Sequence, residues 1–150
     1  MLMTRASRLA VEALVALSDP GRQERLTAET LSCRTTGDLA SLQQVLGRLG
    51  RAGIIRSRQG RNGGYQLARA PRSMTLRDVV QAVDGQDVQR CLMDSTICDG
   101  WRSCRLAPTW HPIREQLMHF LDTETIESIA QRSRGAVERF ALSDMDELQG

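Results

Sequence analysis

Three cysteines, Cys91, Cys98 and Cys104, stand within fourteen residues of a 150-residue chain, and a fourth, Cys33, lies far upstream. Thiolate sulphur is the softest donor a protein offers, and it selects zinc, copper(I) or iron–sulphur clusters. Structural zinc commonly takes close CxxC pairs that bend the chain around one tetrahedral ion. Here the intervals are six and five residues. Gaps of that width suit a larger inorganic core, an iron–sulphur cluster whose irons lie apart. Spacing alone leaves three readings open: a cluster, zinc, and thiols that are structural or redox-active without metal.

A second set of residues points to a different partner. The net charge of +2 conceals a division: residues 1–72 carry 12 arginines against five carboxylates, net +7, and residues 73–150 carry eight against 13, net −5. Between Asp38 and Asp78 eight arginines run without an acidic residue. Such a field attracts a polyanion. Within it Ser41, Gln43, Gln44 and Arg48 form the polar face of one helical stretch, and Arg56, Arg58, Arg61 and Asn62 cluster in an extended one. A glutamine amide both donates to and accepts from adenine, which makes Gln44 the base-reading candidate; Arg48 suits a phosphate. An arginine at a hairpin tip suits a narrow minor groove. Double-stranded DNA is therefore the expected partner.

Catalytic chemistry finds little support. His111 and His119 are eight residues apart without a recurring carboxylate pattern, and no glycine-rich phosphate cradle follows a strand. An electron carrier would leave the basic helix and hairpin without a role. The chain is read as a non-enzyme.

These residues need elements to hold them. Leu9, Ala10, Ala13, Leu14 and Leu17 recur at helical spacing and predict a first helix over about 4–17, ended by Asp19, Pro20 and Gly21. That opening stretch reads as an amphipathic helix rather than a secretion signal, which implies a cytoplasmic setting where disulfide frameworks are rare. Thr27 caps a second helix over about 28–35, with Leu31 inward. Asp38 caps a third, with Leu42, Val45, Leu46 and Leu49 inward, stopped at Gly53. IIRSRQ and YQLAR then pair as strands across GRNGG.

Three helices and a hairpin describe a mainly α fold with a small β-hairpin, a winged helix-turn-helix over 1–84, closed by a helix from Thr75 to near Gly85. The cysteine segment, 85–108, is expected to be irregular. Dimerisation helices follow over 109–135, with Pro112 in a first turn, and a flexible tail over 136–150. Ile113, Leu117, Phe120 and Leu121 form an apolar stripe that a single winged module has no use for, so a homodimer is expected. No apolar stretch reaches membrane length.

The ordered combination of MLMTRASRLAVEALVAL, VLGRLGRAGIIRSRQGRNGGYQLAR, MTLRDVVQAVDG, C-x6-C-x5-C and FLDTETIESI, across residues 1–135, resembles the family of winged-helix iron–sulphur regulators that includes IscR and NsrR. The resemblance implies a dimeric transcription regulator, more often a repressor, that binds near-palindromic promoter DNA through the third helix and wing. It also implies a [2Fe-2S] or [4Fe-4S] cluster on Cys91, Cys98 and Cys104, although the family's first interval is usually one residue shorter. The chain departs from the family at the fourth ligand. Ala107 stands where cluster-assembly regulators have a histidine, and Arg8 where nitric-oxide-sensitive members have an acidic residue. Cys33, Glu12, His111 and an exogenous ligand are the candidates, with Cys33 the softest donor.

Overall fold

The computed structural model describes residues 3–19, 25–85 and 105–134. Cys91, Cys98 and Cys104, and the 136–150 tail, lie outside the described residues. Helix α1 spans Arg5–Leu17 and is capped by Thr4, whose hydroxyl accepts from the Ser7 N–H. Of its expected apolar face Leu9, Ala10, Ala13 and Leu14 are buried, joined by Ser7, while Leu17 in the last turn is only partly buried. Helix α2 is shorter than the sequence pattern suggests, Ala28–Ser32 under a Thr27 cap. The N–H groups of Arg34 and Thr35 reach back only three residues, to Leu31 and Ser32, so the helix tightens and ends before the β-branched pair Thr35-Thr36.

Helix α3 covers Leu39–Arg51 and buries Leu42, Val45, Leu46 and Leu49. Strands β1 (Ile55–Arg58) and β2 (Gly64–Leu67) pair antiparallel, Ile55 opposite Leu67 and Arg58 opposite Gly64. The turn between them needs left-handed backbone at Gly60, Asn62 and Gly64, and asparagine is among the few side-chain-bearing residues that accept it. Leu26 adds an isolated bridge to the far side of β2: its N–H donates to the Tyr65 carbonyl at 3.1 Å, and the Tyr65 N–H returns to its own at 2.8 Å. Gly64 permits that approach, since a Cβ there would stand 2.6 Å from the Leu26 carbonyl oxygen.

Helix α4, Leu76–Asp84, opens on a capping box between Thr75 and Asp78 and ends at Gly85 in the left-handed region. The core gathers α1, Leu31, α3, Ile54, Ile55, Met74, Val79 and Val83 around one centre. The chain's later part returns to it through Ile126, whose N–H donates to the Met74 carbonyl at 3.0 Å. Leu76 donates to the Glu124 carbonyl at 2.8 Å, so the start of α4 is pinned where α5 ends.

Helix α5, Ala107–Thr123, corrects two expectations. It begins inside the segment read as irregular, and Pro108, not Pro112, occupies its first turn. Pro112 lies inside the helix, where its missing N–H leaves the Pro108 carbonyl without its i+4 donor. Leu121 also leaves the expected exposed stripe. It is wholly buried, while Ile113 and Phe120 are 52 % and 48 % exposed, because one residue past Phe120 turns the side chain about 100° round the helix. A last helix, α6, occupies 126–134. No helix among the described residues is long and apolar enough to cross a membrane.

Candidate nucleic-acid interface

The exposed face of α3 is built by its cap. The backbone N–H of Ser41, followed by its hydroxyl, donates to Asp38 at 2.8 Å each, and these bonds hold the Asp38 carboxyl below the usual aspartate range. Ser41 is thus engaged at the cap, with its side chain still exposed. Gln43 and Gln44 project on the same polar side of α3, both exposed. Gln44 lines a groove of about 470 Å³ together with Arg5, Arg8, Thr36, Asp38 and Arg48.

The end of α2 and its connection to α3 are fixed from beneath by Glu12. The Thr36 N–H donates to one oxygen of that carboxylate at 2.8 Å, and the Arg8 guanidinium to the other at 2.9 Å. Partial burial pushes the Glu12 pKa up, but the Thr36 backbone donor, the Arg8 side chain and the Thr36 hydroxyl outweigh it and leave the group lowered. Arg48 does not simply face outward. Its guanidinium donates to the Val83 carbonyl at the end of α4.

On the wing Arg56, Arg58, Arg61 and Asn62 are all exposed. Arg58 and Asn62 share a second groove, about 870 Å³, with Arg25 and Thr27. Arg25 was invisible as a site residue in the sequence because Leu26 is a single apolar position with no alternating run around it; only the bridge to Tyr65 brings it to the wing.

A family model, Rrf2, described as an iron-dependent transcriptional regulator, matches residues 3–132. The chain belongs to the Rrf2 family. It is 28 % identical over 137 residues to an rrf2-like protein of Rhodobacter capsulatus, covering 85 % of this chain and 91 % of that one. IscR of Klebsiella pneumoniae, an HTH-type transcriptional regulator, is 29 % identical, covering 84 % and 77 %. Among solved structures, CymR, the global cysteine regulator of B. subtilis, superposes with a TM-score of 0.74 at 19 % identity, covering 88 % of this chain and 98 % of that one. T. potens IscR does so at 0.70 and 20 %, covering 91 % and 90 %. Both share its winged-helix fold. As an Rrf2 transcriptional regulator, the protein has the third helix and the hairpin of the expected winged-helix fold, over Leu39–Arg51 and Ile55–Leu67.

The fourth-ligand candidates of this Rrf2 chain separate clearly. Cys33 caps the end of α2 with a free, exposed thiol. Glu12 has both oxygens committed to Arg8 and Thr36. Ala107 is buried at the start of α5 and carries no donor, and His111 lies in the second turn of that helix.

Proposed function

We propose that this Rrf2 regulator is a dimeric repressor that reads double-stranded promoter DNA through α3 and the wing, and that an iron–sulphur cluster on Cys91, Cys98 and Cys104 sets its DNA affinity. Cys33 completes the ligand set in this reading. The contrast between Cys33 and Glu12 carries it: the thiol is accessible and chemically soft, whereas recruiting the carboxylate would cost the Thr36 and Arg8 hydrogen bonds that support the connection into α3. Four thiols suit such a cluster in their chemistry. When bound, it would supply a centre that reacts with oxygen or nitric oxide, and its site would stay unfilled when iron is scarce.

The protein's own part is to translate the two states into different DNA contacts, since an effector shifts an equilibrium only through differential free energy. Dimerisation is supported by Leu106, Ile113 and Phe120, seven residues apart and each about half exposed, 46 %, 52 % and 48 %. The exposed thiol of Cys33 also supports a second reading, a metal-free regulator switched by reversible disulfides.

Anaerobic native mass spectrometry of the full chain beside its Cys33→Ala form separates the two. A dimer carrying iron and inorganic sulphide, with the cluster lost or destabilised in Cys33→Ala, is the expected result. Metal-free protein that still switches DNA binding with thiol oxidation would establish the second reading instead, and stoichiometric zinc would reject the cluster.

A further inference from the structure

Helix α4 ends in two consecutive residues, each attached to a different element, followed by a glycine cap. The Val83 carbonyl accepts from Arg48 of α3. The Asp84 carboxylate accepts from the hydroxyl of Thr4, the cap of α1, at 2.7 Å and from the hydroxyl of Ser7 in its first turn. Gly85 follows as the left-handed cap, at φ 59°, and in sequence it precedes the segment that carries Cys91, Cys98 and Cys104.

A carboxylate at the C-terminus of its own helix is electrostatically misplaced, because that end carries partial negative charge. Asp84 is compensated from elsewhere: Thr4 is the cap of α1 and Ser7 lies in its first turn, where the partial charge is positive. Ser7 is also the one polar residue fully buried among the described residues, and its hydroxyl has Asp84 for a partner. Arg48 repeats the logic with the opposite sign, a cation on a carbonyl that the end of α4 leaves without a helical donor. The other end of α4 is fixed independently, through Leu76 to Glu124 and through the Arg77–Asp122 ion pair at 2.9 Å. The C-terminal turn of α4 is held separately, where contacts from α1 and α3 converge on Asp84 and Val83.

We propose that Asp84 is a positioning residue for DNA recognition: its grip on Thr4 and Ser7 seats the last turn of α4, and with it Arg48 and α3, so that the state of the cysteine segment beyond Gly85 sets the placement of the recognition helix. This rests on the proposed sensing role and names the contact that transmits it. Tension or release along the chain from Gly85 acts first on Asp84 and Val83, one and two residues away. Breaking the Asp84 contacts uncouples α3 from that segment while leaving the exposed DNA-facing residues in place.

The test measures the ratio of DNA affinities between two states of the full-length protein, using a duplex selected from a random library by the wild type. One pair of states is cluster-reconstituted against chelator-stripped protein; the other is reduced against diamide-oxidised protein. Hydrogen exchange across Leu39–Arg51 is followed in the same states. In whichever pair the wild type shows a ratio, Asp84→Ala should bring it at least threefold closer to one and abolish the state-dependent exchange change, with dimer mass and iron content unaltered. Ser7→Ala should act in the same direction, and it serves as the readout where Asp84→Ala fails to fold. Asp84→Asn, which keeps one acceptor oxygen, should fall between Asp84→Ala and the wild type.

A wild-type ratio in the thiol pair alone would sink the cluster reading and still test Asp84. A ratio and an exchange change retained in both Asp84→Ala and Ser7→Ala would overturn the positioning role, as would a wild type with no ratio in either pair.

Discussion

At the scale of single residues, the proposed interface divides into groups expected to read DNA and groups that hold them in place. Gln44 is exposed and its side-chain amide has no structural task in the fold, so Gln44→Ala should alter sequence preference, costing about 1–3 kcal/mol on the selected duplex and little on a scrambled one. Arg58 and Arg61 are expected phosphate or minor-groove contacts. Their double change to Ala should weaken binding to all sequences and lower the slope of log K against log salt by about two per protomer. Fluorescence anisotropy over a salt series checks both, and an unchanged slope would remove the wing from the interface. Glu12 belongs to the holders. Its pKa lies below the ordinary 4.5, so its hydrogen bonds stabilise the fold above that value and are lost as pH falls through the lower folded-state pKa. Stability of the wild type should therefore drop more steeply on acidification below about pH 4.5 than that of Glu12→Gln, which has already lost the charge-dependent part; denaturant melts at stepped pH compare them.

At the scale of elements, the stability of α4 depends on a cap that is independent of its packing. Thr75→Ala removes one half of the Thr75–Asp78 box and should cost about 1 kcal/mol in chemical denaturation, with no direct effect on DNA contacts. Caps of this kind are also why so much of the fold was legible. Thr27, Asp38 and Thr75 each precede an apolar run at helical spacing, and the structure starts a helix after each. The hairpin was legible for a similar reason, GRNGG standing between two short extended runs. What escaped was either tertiary or a competition between local signals. The Leu26–Tyr65 bridge joins residues about forty apart with no pattern in either, and the Arg48–Val83 and Asp84–Ser7 contacts depend on how three helices meet. The start of α5 was misjudged because two prolines four residues apart both suit a first turn, and only Pro108 has that place. Pro112 pays no such role, so Pro112→Ala should restore a donor for the Pro108 carbonyl and raise stability by roughly 1–3 kcal/mol, read as a higher denaturation midpoint.

At the scale of the whole molecule, the exposed stripe along α5 is the proposed two-fold seam that would let two recognition helices act together. Leu106, Ile113 and Phe120 recur every seven residues, the repeat that keeps one seam of a helix facing a partner. About half of each Phe120 side chain is in solvent, so closing a two-fold interface would gain on the order of 1 kcal/mol per protomer from that residue alone. Phe120→Arg replaces this gain with two like charges brought together across the axis, and should raise the dimer dissociation constant by more than tenfold in sedimentation equilibrium. The consequence for DNA differs between probes. On a palindromic duplex the second protomer binds as a tethered group at high effective concentration, an advantage lost once the dimer dissociates. Affinity for the palindrome should then fall at least tenfold, while affinity for a single half-site, which one α3 and one wing contact, changes less than threefold. Equal losses on both probes would place Phe120 in the folding of the monomer, and a variant that stays dimeric would move the two-fold interface away from α5.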